Sequence, residues 1–140
     1  MAQPRFQLVP GARLAHSATP GGVGWRLLGA NNRELGRSSG AFPDAEVALA
    51  SIARLREISE VAEAHIVHDP SSGLWEWHLY DDGVAVSNSG RGFRHERECR
   101  YNLEQFRTCA PTSPASDSEV PLEFPWQRTV VVAPQSDAAV

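Results

Sequence analysis

Lysine is missing altogether: all thirteen cations among these 140 residues are arginine. No Schiff-base lysine and no phosphate-cradling P-loop lysine can therefore exist. We read the bias, with its abundance of alanine, as codon usage of a GC-rich bacterial genome. Cysteine is scarce, with only Cys99 and Cys109 present. Ten residues apart in one helical pattern, they would lie about 15 Å apart along the axis. A disulfide needs Cα atoms within about 7 Å, so the two thiols stay free, as suits a reducing cytoplasm. No apolar run approaches the ~18 residues of a membrane span. The first residues, Met-Ala-Gln-Pro-Arg-Phe, lack the apolar core of a secretory signal. A net charge of -4 argues against bulk attraction to nucleic acid or anionic lipid.

Catalytic signatures are missing as well. Ser38-Ser39-Gly40 and Ser87-Asn88-Ser89-Gly90 lack the spacing of a nucleophile elbow. Gly21-Gly22-Val23-Gly24 has neither the preceding strand nor the following helix of a dinucleotide site. Asp81-Asp82 serves a hairpin turn. His65 and His68 are three apart on a strand and point to opposite faces, and His95 with Cys99 makes only two ligands. Cys99 falls on a helix's inner face and reads as core. We expect no catalytic residue, no metal and no cofactor.

What is present is a pattern written twice. Trp25-Arg26-Leu27, a polar turn, and Ser38-Ser39-Gly40-Ala41-Phe42 precede a helix pattern carrying Ala48, Ile52 and Leu55. Trp77-His78-Leu79, a turn, and Ser89-Gly90-Arg91-Gly92-Phe93 precede one carrying Cys99, Leu103 and Phe106. Strands are expected at 6–9, 13–17, 25–28, 34–38, 64–68, 74–80 and from Val84, with helices after Pro43 and over 94–107. Asp44 and Glu46 place negative charge at the first helix's positive end. The expected fold is α+β: two tandem βββα units about a pseudo-twofold axis, with a mainly antiparallel sheet and helices on one face. Repeat 1 covers about 12–58 and repeat 2 about 63–109, within one domain at 1–109. Residues 110–125 read as a flexible Pro/Ser-rich linker, 126–132 as a strand added to or exchanged into the sheet, and 133–140 as a disordered tail.

The Trp25-x-Leu27 strand, the Asn31-Asn32 and Asp82-Gly83 turns, and the Ser/Gly run ending in Phe before each helix resemble the YegP-like family. The match spans about 13–107. The resemblance implies a repeated strand–helix unit, a pseudo-twofold axis and exchange of terminal strands. It implies no activity.

Arg91, Arg94, Arg97 and Arg100, with His95, cluster near the start of the second helix, where arginines and free backbone N–H groups could hold an anion. Interleaved Glu96, Glu98 and Glu104 allow a different account, a salt-bridged helix face with pairs such as Arg94/Glu98, Arg97/Glu98 and Arg100/Glu104. Trp25 and Trp77 read as core, Trp75 stands between core and stacking surface, and Trp126 reads as strand anchor or interaction plug. The candidate binding residues are Trp75, Arg91, Arg94, Arg97, Arg100 and Trp126. The expected function is a small cytoplasmic non-enzymatic protein-interaction module. The alternative is a weak anion or nucleic-acid binder using the arginine cluster. The partner is expected to be a protein, not a membrane. The chain should be a monomer with internal pseudo-symmetry, a homodimer staying open.

Overall fold

The computed structural model describes residues 3–14 and 21–115. Its strands are β1 (Arg5–Pro10), β2 (Val23–Leu28), β3 (Glu34–Ser38), β4 (Glu63–Asp69), β5 (Leu74–Asp81) and β6 (Val84–Asn88). Helix α1 (Ala45–Ile58) follows β3, and α2 (Glu96–Cys109) follows β6. The strands form one antiparallel sheet in the order β1-β2-β3-β6-β5-β4. β3 and β6 meet in the middle through only Arg37↔Asn88 and Ser38↔Ser87. On either side of that short contact the two strands part, and each opening is roofed by a helix.

The strand alternation explains the layering. Trp25 and Leu27 on β2, and Trp77 and Leu79 on β5, point to one face and are fully buried. Trp25 meets α1 through Ser51 and α2 through Phe106, so both helices lie on that face. The outer face of β4 carries Glu63, His65 and Val67, all exposed. The hairpin turns use the residues that tolerate left-handed backbone: Asn32 at φ 66°, and Asp82-Gly83 at 53° and 80°.

Both helices start where a backbone bridge releases the chain. Phe42 exchanges hydrogen bonds with Val23, and Asp44 then caps α1 by accepting from the Val47 N–H at 2.9 Å. Phe93 exchanges two 2.7 Å bonds with Trp75, which keeps the chain extended through this point. Helix α2 therefore starts at Glu96 and not at Arg94, which stays in the loop. Of the strand expected at 13–17, Arg13 lies in a short 3-10 turn, Gly11–Arg13, and residues 15–17 fall outside the described residues.

The core centres on Phe106. Its ring lies 4.8 Å from Trp77 and 6.4 Å from Trp25, so one side chain joins the two ends of the sheet. Gly36 on β3 makes room for it: an added Cβ would stand 2.7 Å from the Phe106 ring and 2.8 Å from Trp77. Two arginines tie the helix ends together. Arg107 of α2 donates to the carbonyls of Ser59, Glu60 and Ala62 beyond α1. Arg56 of α1 donates to the Ser113 carbonyl beyond α2.

The start of the expected linker is packed. Ala110 and Ser113 are buried, and the Phe6 N–H donates to the Pro114 carbonyl at 2.8 Å. Ala115 forms a parallel bridge with Phe6. The strand expected at 126–132, with Trp126, and the tail at 133–140 lie outside the described residues.

Gly36→Ala should cost about 1–3 kcal/mol in urea unfolding, because the core must overpack. Gly40→Ala, which meets nothing within 4 Å, should stay within about 0.5 kcal/mol. Equal effects would show that the aromatic centre is looser than described.

Candidate binding groove beside helix α2

A groove of about 800 Å³ runs between the β2–β3 turn and the first half of α2. One wall is Asn31, Arg33, Glu34 and Leu35; the other is the loop from Arg91 to Arg94 and the exposed flank of α2. The sheet opens here because β6 ends at Asn88 and turns away through Ser89 and Gly90. The Ser89 hydroxyl donates to the Arg91 carbonyl at 2.7 Å, which sets the loop that presents Arg91. The Asn31 carboxamide accepts from the Arg33 N–H at 3.0 Å, which shapes the opposing turn.

Four arginines line the groove: Arg33, Arg91, Arg94 and Arg97. Among the described residues Arg33, Arg94 and Arg97 form no ion pair, and Arg91 lies over the Phe93 ring at 4.5 Å. Glu34 is already engaged, 2.5 Å from Arg37 and 3.9 Å from Arg26. Glu98 is the other carboxylate in the lining. The groove therefore has a local surplus of positive charge on an acidic protein. Tyr101, 67% exposed, adds a broad amphipathic ring.

The expected salt-bridged helix face forms through one pair, and not one of those expected. Among the described residues Arg94/Glu98, Arg97/Glu98 and Arg100/Glu104 form no ion pair; Arg100 instead reaches back to Glu96 at 2.6 Å. The later start of α2 accounts for part of this. With Arg94 outside the helix, helical spacing no longer sets its neighbour. Arg91, Arg94 and Arg97 thus come together in the groove, while Arg100 stands outside its lining. Trp75 is elsewhere too: half-buried against the core, its ring 4.5 Å from that of His68. Sequence reasoning missed Arg33, Tyr101 and Gln105. Arg33 lies far from Arg91 in the chain, so only the fold brings them to one groove.

A second cavity, about 510 Å³, lies in the other opening of the sheet, between α1 and β6. Phe42, Leu55, Ile58 and Val86 give it an apolar lining, and its sole cation, Arg54, is bound to Asp81. His65 and His78 are cross-strand neighbours beside Glu63 and Glu76, yet among the described residues no group of three His, Cys, Asp or Glu could hold a metal. No helix among the described residues is long and apolar enough to cross a membrane. Burial pushes the Cys99 thiol up to about 11 and raises that of Cys109.

No family model and no curated protein matches this sequence. Solved structures do. The solution NMR structure of yegP, a protein of unknown function from E. coli, is 13% identical, with a TM-score of 0.62 over 83% of this chain and 93% of that one. A UPF0339 protein from Shewanella oneidensis is 9% identical, with a TM-score of 0.64 over 81% of this chain and 90% of its own. The fold is YegP-like. The resemblance read from the strands and turns holds at this level, and at such identities the likeness concerns fold alone.

Cys99 should resist thiol reagents at pH 8 until the protein unfolds. Its folded-state pKa is raised, so the unfolded chain loses the proton first. The Cys99 contribution to stability is then complete below the ordinary value of 9.0 and lost as pH rises toward about 11. Melting temperature followed across that window should fall less steeply in Cys99→Ala than in wild type. Equal slopes would contradict the burial.

Proposed function

We propose that this protein is a non-enzymatic protein-interaction module of the cytoplasm, built from two tandem βββα units about a pseudo-twofold axis, and that its arginine groove takes an acidic segment of a partner protein. The observation that carries the reading is the set of arginines on both walls of one concave surface, of which Arg33, Arg94 and Arg97 form no ion pair among the described residues. Guanidinium groups grip carboxylates through paired N–H donors. Arginine and tyrosine are also the side chains most often dominant in interfaces. The net charge of -4 disfavours a long polyanion at a distance, whereas a short acidic segment needs only the local surplus.

Recurring contacts support the two-unit reading. The helices begin fifty-one residues apart, at Ala45 and Glu96. Trp25 Nε1 donates to Ser51 on α1, and Trp77 Nε1 donates to Asn102 on α2. Arg56 reaches Ser113 as Arg107 reaches Ala62. The Val23/Phe42 bridge recurs as Trp75/Phe93. On this scheme Arg33 and Glu34 match Val84 and Ala85, so the arginine groove and the apolar cavity are equivalent openings whose linings have diverged. Free thiols suit a reducing compartment.

The test is fluorescence anisotropy with a short fluorescein-labelled Asp/Glu-rich peptide. Binding should weaken steeply with salt, and Arg94→Glu/Arg97→Glu should lower affinity about tenfold or more, roughly 1.4 kcal/mol, with an unchanged melting temperature. Unchanged affinity in that variant would reject the groove. A single-stranded oligonucleotide that outcompetes the peptide would put the nucleic-acid reading in its place.

A further inference from the structure

Asn102 lies at the bottom of the arginine groove with only half of its carboxamide committed. It lines the groove yet is 7% exposed, while Arg33, Arg94, Arg97 and Tyr101 around it are exposed. Its Oδ1 accepts from the Trp77 indole N–H at 2.5 Å. An indole nitrogen can only donate, so this bond fixes which end of the carboxamide is oxygen and orients Nδ2 away from the indole. Nδ2 donates to no group among the described residues. Nor is it one of their sealed, unbonded polar atoms, which are Arg5 Nη1, Ser39 Oγ and Ser59 Oγ. Two N–H donors therefore stay open to the groove.

The other opening of the sheet shows a purely structural partner for an indole. Ser51 Oγ accepts from Trp25 Nε1 and donates its own proton to the Ala48 carbonyl at 2.7 Å, so no donor is left over. Asn102 satisfies its indole in the same way and keeps two donors. Leu35 on one wall and Phe93 on the other line the same groove. Their apolar surface suits the methylene stem of an acidic side chain. The carboxylate at the end of that stem leaves bulk water and needs donors in exchange.

We propose that Asn102 is a specificity residue of the groove: its Nδ2 donates to one carboxylate of the acidic segment, which enters between Leu35 and Phe93 while Arg33, Arg94 and Arg97 hold the rest of the segment at the rim. The inference rests on the arginine-groove reading above and adds how one acidic segment is chosen among others of equal charge. Arginines at the rim read total charge, through a field that salt screens. A neutral donor held in a fixed direction reads the position of a single oxygen. Only a segment with an acid at the right place along its length uses both. The bond to Trp77 is what holds the donor in that direction, so a core contact sets the selectivity of the surface above it.

The experiment uses the full chain and the same fluorescein-labelled Asp/Glu-rich peptide. As peptide is added to the wild-type protein, the Asn102 side-chain NH2 signals should move downfield in NMR, together with shifts in the Nε–Hε signals of Arg94 and Arg97. Asn102→Ser, which offers Trp77 the hydroxyl that Ser51 offers Trp25, should bind the peptide about fivefold more weakly or worse. The loss should be the same factor at every salt concentration, because the missing donor carries no charge. Arg94→Glu/Arg97→Glu should instead flatten the salt dependence. Asn102 signals that stay in place while the arginine signals move overturn the inference and leave the groove's function standing. Wild-type affinity in Asn102→Ser does the same. Arginine signals that also stay in place reject the groove itself. Should Asn102→Ser lose the Trp77 Nε1–H signal or fail to fold, the wild-type titration alone decides.

Discussion

One ring holds the two ends of this sheet together. Phe106 touches Trp25 and Trp77, and both indoles are buried. Burying a tryptophan removes about 150–250 Å² from water, worth roughly 4–6 kcal/mol each. That gain depends on geometry. Each indole N–H must find a partner beneath a helix, and Ser51 and Asn102 supply them. An orphaned donor would cost about 1–3 kcal/mol. The helices are therefore positioned twice over: by the ring between them, and by the residue that satisfies the indole. Gly36 is part of the same constraint, because any side chain there would push Phe106 aside.

The openings follow from that arrangement. Because β3 and β6 share so few residues, the sheet is weakest in hydrogen bonds at its centre. Stability there comes from the aromatic layer and from Arg56 and Arg107, which fasten each helix to the segment beyond the other. The two gaps are not filled by backbone, and their exposed lining residues, Arg33, Arg94 and Arg97 in one and Val84 in the other, lie outside the core. One is apolar around Phe42 and Val86; the other is lined by arginine.

Much of the scaffold was legible. Trp77 and Leu79 alternate with His78 and Tyr80, and that period alone defines a strand with one buried face. Asp82-Gly83 announces its hairpin. Boundaries were harder where a long-range bond intervenes: the Phe93 bridge to Trp75 delays α2 past Arg94, and no local preference reveals it. Ala110 and Ser113 read as linker because their composition is loop-like, yet Arg56 holds the segment from another helix. Within the site, Arg91, Arg94 and Arg97 were legible as a cluster. Their ion pairing was not, since Arg100 has Glu96 behind it and Glu104 ahead at equal spacing. Arg33 was out of reach for a different reason: its place opposite the cluster is a property of the folded sheet.

The proposed function rests on Arg33, Arg94 and Arg97, which line one groove and form no ion pair among the described residues. The most direct measurement is backbone NMR of the full protein titrated with an Asp/Glu-rich peptide. The account predicts shifts on both walls of one groove, at Arg33 and Leu35 on one side and at Gly92, Arg97 and Tyr101 on the other. Shifts confined to Phe42, Leu55 and Val86, or no shifts at all, would contradict it.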